Sequence, residues 1–200
     1  MNKAVWGARV LLSLALAGAV ALSSCSDAMR TGQSPSYLII TTLEGSPGIG
    51  GSFSTTLASD VLNVDENTGR QSIAQDSGRV TLQLAQKDPL GPAPSDATSI
   101  TIYQYRVEYV RADGRNRPGI DVPYPFDGAV TATVAQSASI PFTLVRIQAK
   151  QEAPLSALAF GGGANAISTI ARVTFYGRDQ NGREVNVTGN IEVNFADWAG

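Results

Sequence analysis

Residues 167–195 read ISTIARVTFYGRDQNGREVNVTGNIEVNF, and the period of that stretch decides the fold. Val185, Val187, Gly189, Ile191, Val193 and Phe195 take every second place, with Asn186, Thr188, Asn190, Glu192 and Asn194 between them. A period of two sends one set of side chains to a core and the other to water. Helical winding would scatter the same valines around the whole circumference. Ile167, Thr169, Ala171, Val173 and Phe175 alternate in the same way, and Asp179-Gln180-Asn181-Gly182 lies between the two runs. Asn-Gly is a hairpin signal because both residues tolerate positive φ. The stretch therefore predicts an antiparallel hairpin with one buried face, with Gly189 marking a bulge or bend.

Upstream, the pattern repeats. ITIYQYRVEYV (100–110) places Tyr103, Tyr105, Val107 and Tyr109 together and then turns at Asp113-Gly114. Further strands are predicted at Tyr37–Leu43, Phe53–Leu57, Val80–Leu84, Ala129–Ala135 and Phe142–Lys150. APLSALAF (153–160) offers at most a helical turn, ended by Gly161-Gly162-Gly163. Seven to nine short strands separated by Gly/Pro/Asp-rich turns predict an all-β fold, an antiparallel immunoglobulin-like or fibronectin-III-like β-sandwich over residues 37–200. A closed barrel and two small sandwiches joined near residue 95 are the alternatives.

The chain begins differently. Lys3 and Arg9 are its only early charges, and VLLSLALAGAVAL (10–22) is apolar almost throughout. Thirteen residues fall short of the ~20 that a membrane span requires. A basic start, a short apolar middle and small residues at a cut site fit a secretory signal. Leu22-Ser23-Ser24-Cys25 resembles the lipobox of bacterial lipoproteins, and an ordinary signal with an unrelated cysteine is the alternative. The resemblance implies cleavage after residue 24 and acylation of Cys25, and with it a partner in the lipid bilayer. Ser26 after the cysteine resembles the sorting context of outer-membrane lipoproteins. Residues 25–36 then form a polar tether, since SDAMRTGQSPS lacks any periodicity. The second half, YRVEYVRADGR to TIARVTFYGRDQNGREV, is similar to exported bacterial β-sandwich proteins with no assigned activity.

Cys25 is the only cysteine, so a lipidated mature chain must fold without disulfides. Removing residues 1–24 leaves thirteen basic against seventeen acidic side chains. With no basic run among them, nucleic acid is not an expected partner. The absence of histidine rules out a Ser-His-Asp triad and a histidine zinc site, and acylation would consume the only thiol. A carboxylate pair alone can hydrolyse glycosides, but Asp121 and Glu108 near Tyr103 and Tyr124 are a thin basis for one. No catalysis and no cofactor are expected.

Three loops invite a functional reading. Gly45-Ser-Pro-Gly-Ile-Gly-Gly51 has the glycines of a phosphate loop without its Lys-Ser/Thr, so a plain loop is expected. Asn63-Val-Asp65-Glu-Asn67-Thr-Gly69 alternates oxygen-bearing side chains as a calcium loop does, and Asp60 and Asp76 could add ligands. Its glycine comes one place late and no glutamate closes it, so a solvated acidic turn competes with the metal reading. Pro123-Tyr124-Pro125-Phe126 fixes two aromatics on a stiff backbone beside Arg111, Arg115 and Arg117. Aromatics and arginines are the material of interface hot spots, so Tyr124, Phe126, Arg115 and Arg117 are the candidate contacts for an envelope protein or glycan. The competing reading has Tyr124 or Phe126 capping the sandwich, and Trp198 is open to the same two readings.

Overall fold

The computed structural model describes residues 34–48, 51–65, 67–90, 93–161 and 165–198. Ten strands account for nearly all the regular structure. They are β1 (Ser36–Ser46), β2 (Thr56–Asp60), β3 (Asn63–Val64), β4 (Gln71–Ser72), β5 (Asp76–Gln86), β6 (Ile100–Val110), β7 (Phe126–Val134), β8 (Ser137–Val145), β9 (Ile167–Asp179) and β10 (Glu184–Ala196). Two sheets pack face to face, a three-stranded one in the order β1-β5-β8 and a five-stranded one in the order β2-β10-β9-β6-β7. β3 and β4 form a separate small hairpin. In immunoglobulin terms β1, β5 and β8 take the A, B and E places, while β7, β6, β9 and β10 take C′, C, F and G. Strands from before and after residue 95 share both sheets, so there is one sandwich.

The β9–β10 hairpin carries the predicted alternation, with Ala171, Val173, Phe175, Ile191, Val193 and Phe195 all buried. Its turn differs in detail. Four residues join the strands, Asp179 Oδ1 accepts the Asn181 and Arg183 N–H groups at 2.9 Å each, and only Gly182 takes positive φ. Gly189 is no bulge, since pairing runs unbroken from Glu184↔Arg178 to Phe195↔Ile167. It instead makes room for the Ile40 and Leu43 side chains of β1, which a Cβ at this position would meet. The all-antiparallel expectation also fails in one place, because β2 runs parallel to β10. Residues after β1 fold back beside its end, where Gly45 and Ser54 form an antiparallel bridge. The chain then sets off again in β1's direction along the β10 edge.

Predicted strands 53–57 and 142–150 are displaced. The first begins at Thr56, and the second ends at Val145 before a five-residue helix, α1 (Ile147–Gln151), that contains Lys150. The APLSALAF stretch holds a 3₁₀ turn at Leu155–Leu158, its two leucines buried.

Rings fill the interior. Tyr105, Phe142 and Phe175 pack at centroid distances of 5.3–6.2 Å, and Phe126 meets Tyr105 edge-on at 6.3 Å. Two tyrosine hydroxyls of β6 reach across to the exposed edge of β8. Tyr105 Oη accepts the Thr143 N–H at 3.1 Å and Tyr109 Oη donates to the Leu144 carbonyl at 2.6 Å. Buried hydroxyls need partners, and edge strands have spare backbone groups, so each satisfies the other.

The register defines two ends. At the proximal end lie the starts of β1, β6 and β10, the ends of β5 and β7, and the 180–183 turn. At the distal end lie the ends of β1, β2, β6, β8 and β10, the starts of β5, β7 and β9, α1 and the 111–125 loop.

Candidate functional site

The 111–125 loop joins β6 to β7 at the distal end and is held by its own side chains. Asn116 Oδ1 accepts the Arg111 N–H at 2.6 Å, and the Arg117 carbonyl accepts N–H groups from Ile120 and Asp121. The Gly119 N–H donates to the Val122 carbonyl at 2.8 Å, closing a tight tip. Gly119 has φ of +74° and lies directly under the Tyr124 ring, so a side chain here would meet both backbone strain and the ring. Pro123 and Val122 are buried beneath the tip.

Every arginine of the loop has an acid. Asp113 is forked between Arg111 (Nη2 at 2.7 Å) and Arg115 (Nη2 at 2.8 Å), and it also accepts the Arg115 backbone N–H at 3.1 Å. These bonds, Arg111's first, hold its carboxyl well below the usual aspartate range. Asp121 accepts Arg117 Nε at 2.9 Å, which lowers its own carboxyl. Sequence reasoning placed Arg115 and Arg117 in this loop correctly, but both guanidiniums are already engaged within it.

The two aromatics part company. Tyr124 stands 53% exposed, whereas Phe126 is 5% exposed, opens β7 and packs against Tyr105. Phe126 therefore caps the core, with the Arg146 guanidinium 4.3 Å above its ring, and is corrected from a contact residue to a structural one. Alternation along β7 explains this. Phe126 occupies an inward register position opposite Val107, while Tyr124 precedes the strand and escapes the pleat. Ile120, 59% exposed on the same tip, is an apolar side chain that sequence reading missed. Ile147, Phe160 and Trp198 are further exposed apolar side chains of the distal end.

Glu108 and Asp121 are each engaged by a different arginine. Glu108 bonds Arg106 at 2.8 Å on the sheet face while Asp121 bonds Arg117 in the loop. Tyr103 sits toward the proximal half of β6, beneath the Arg178 guanidinium, far from Tyr124 along the strand.

The five candidate metal ligands fall into two places. Asn63, Asp65 and Asn67 belong to the β3–β4 hairpin, where Asp65 is lowered by accepting the Asn67 and Thr68 N–H groups. Asp60 ends β2 and Asp76 opens β5, both at the distal end of the sandwich. Asp76 is fully buried, bonded to Lys150 Nζ at 2.8 Å, to Ser59 Oγ at 2.5 Å and to the Gly48 N–H at 3.0 Å. The lysine ammonium thus holds the cation position beside Asp76. Burial raises the Asp76 carboxyl in spite of that neighbour. Asp60 accepts the Leu62 and Trp198 N–H groups and is raised, chiefly by burial. Among the described residues, no three acids converge on a point that would hold a metal.

The glycine-rich segment includes residues outside the description, but its Gly48 serves the Asp76 carboxylate rather than a phosphate. Cys25 and the whole predicted signal lie outside the described residues. Among those that are described, no helix is long and apolar enough to cross a membrane.

No protein-family model matches the chain, and no curated protein matches it. A solved structure described as the X-ray structure of Northeast Structural Genomics Consortium target SoR45 is similar over 81% of this chain and 86% of that one, at 10% identity and a TM-score of 0.32.

Proposed function

We propose that the chain is a lipid-anchored bacterial envelope protein, held through acylated Cys25 and directed to the outer membrane. Its sandwich is a non-enzymatic module that docks another envelope protein or a glycan through its distal loops. The observation that carries this reading is the self-braced 111–125 loop, which holds Ile120 and Tyr124 out at the end opposite the one where the chain arrives from Cys25. The loop is already ordered, so docking does not have to order it. The lipobox resemblance and the lack of histidine support anchoring without catalysis.

The test is crosslinking in intact cells followed by pull-down from detergent-solubilised membrane. Wild type should recover a defined envelope component, and Ile120→Ser/Tyr124→Ala should lose it while its melting temperature stays unchanged. Equal recovery by the variant would refute the loop's role.

A further inference from the structure

The proximal end has an unbalanced feature. Leu90, just past β5, is 94% exposed, held out by the Asp88 carboxylate accepting its N–H at 2.9 Å. Tyr37 and Ile39, on the outward face at the start of β1, are also exposed. All three lie at the end where the chain arrives, since the Lys87 N–H donates to the Pro35 carbonyl and Ser36 pairs with Gln86. The charges at this end are of both signs, Lys87, Arg178 and Arg183 beside Asp88, Asp179 and Glu184, with Arg178 and Glu184 paired at 3.1 Å, so this end has no strong preference for or against an anionic surface.

The length of chain before the body limits what this end can meet. Eight residues, 26–33, separate Cys25 from Ser34. Fully extended, those nine steps reach at most about 30–32 Å, and their relaxed span is about 15–18 Å. β1 alone rises about 33 Å from proximal to distal end, and the 111–125 loop lies beyond it. A bilayer holding Cys25 can touch the proximal end through a slack chain. Turned over, with its distal tip on the bilayer, the body would hold Ser34 at or beyond the reach of even a taut chain.

We infer that the proximal end rests on the bilayer that holds Cys25. Leu90, Tyr37 and Ile39 enter the headgroup–acyl boundary, and the Ile120/Tyr124 tip, past the far end of β1, is held about 23 Å or more above it. Exposed Leu and Tyr suit that boundary because it accepts an apolar body and a polar tip together. The inference rests on the acyl-anchor reading, and its test separates the two.

The chain from Cys25 onward contains every described strand. It would be coupled through its single thiol to a maleimide lipid in phosphatidylcholine vesicles, with and without brominated acyl chains. Leu90→Trp/Trp198→Phe should lose about half of its emission to the bromines, as an indole at the boundary does. The unsubstituted chain, reporting from Trp198 at the distal end, should lose none. No loss at position 90, or a loss at Trp198, overturns the orientation. Chemical coupling makes this result independent of whether cells acylate Cys25, which fractionation of a Cys25→Ala protein reads separately.

Discussion

Replacing Lys150 by methionine strands the Asp76 carboxylate in the interior at the distal end of the sandwich. The pair is 2.8 Å apart with side chains 1% and 0% exposed, so removing the ammonium leaves a buried anion with only the Ser59 hydroxyl and the Gly48 N–H. Breaking a buried ion pair in this way costs about 3–5 kcal/mol. For a domain of this size each kcal/mol moves the melting temperature by about 2–4 °C, so Lys150→Met should lose about 6–20 °C. Asp76→Asn should lose a similar amount, now from a stranded ammonium. The double variant Lys150→Met/Asp76→Asn removes both charges and keeps the amide oxygen for Gly48, so it should lie within about 2 kcal/mol of wild type. The pH dependence of Lys150→Met follows from the Asp76 carboxyl, which burial already raises. Without Lys150, the Asp76 carboxyl rises further above its unfolded value, so the folded state binds the extra proton and the deficit shrinks as pH falls. Circular dichroism during urea unfolding at several pH values reads all four proteins. Single variants within 1 kcal/mol of wild type, or a double variant as unstable as the two singles summed, would refute the pairing argument.

Two further outcomes follow from other parts of the molecule. Cys25→Ala should leave the envelope fraction and appear soluble, whereas continued membrane association, or an unmodified thiol in the wild type by mass analysis, would remove the anchor from the account. Asp113→Asn should raise amide exchange across residues 111–118 while moving the melting temperature by no more than an exposed pair does, and acid should mimic it. The Asp113 carboxyl is depressed when folded, so its bonds persist above the usual aspartate range and are lost as pH falls through the folded value. Unchanged exchange in Asp113→Asn would show that the fork does not hold the loop.

Much of the sandwich can be read from alternation, and the exceptions share a cause. The β9–β10 hairpin has one wet face and one dry face, so the period of two stands out, whereas in β6 a register shift between Ile102 and Gln104 breaks the period and puts Tyr103 on the exposed face, away from Tyr105, Val107 and Tyr109. β2 is five residues long and pairs in parallel at the edge of the five-stranded sheet, with a strand far away in sequence, which no local pattern records. Lys150 sits in FTLVRIQAK, where apolar neighbours suggest continued strand. The turn into α1 arises because the chain must cross from the three-stranded sheet to β9, a tertiary demand. The same limit governs the candidate sites. Asp76 and Asp60 lie among other acids in sequence, yet a lysine seventy-four positions from Asp76 decides what that carboxylate does. Tyr124 was legible because prolines on both sides fix it locally. Phe126 was not, since one further step brings it into strand register and into the core.

The distal tip also bears on why a docking module would be permanently anchored. With Arg111, Arg115 and Arg117 bonded to Asp113 and Asp121, long-range attraction from these groups contributes little, and docking as proposed would rest on Ile120 and Tyr124. The surface these two side chains still expose is on the order of 200 Å², which at about 25 cal/mol per Å² yields roughly 5 kcal/mol on full burial. Association costs at least about 4 kcal/mol in lost translational and rotational freedom, so the tip alone gives weak binding from free solution. Anchoring changes the reference state. A protein held in the same envelope layer as its partner meets it at an effective concentration reaching the millimolar range, where weak contacts are occupied. Stiffness serves the same end, since ordering the loop backbone costs about 1–2 kcal/mol per residue and that cost is met during folding. A small, rigid apolar tip and a lipid anchor are therefore complementary, each compensating for what the other lacks in affinity.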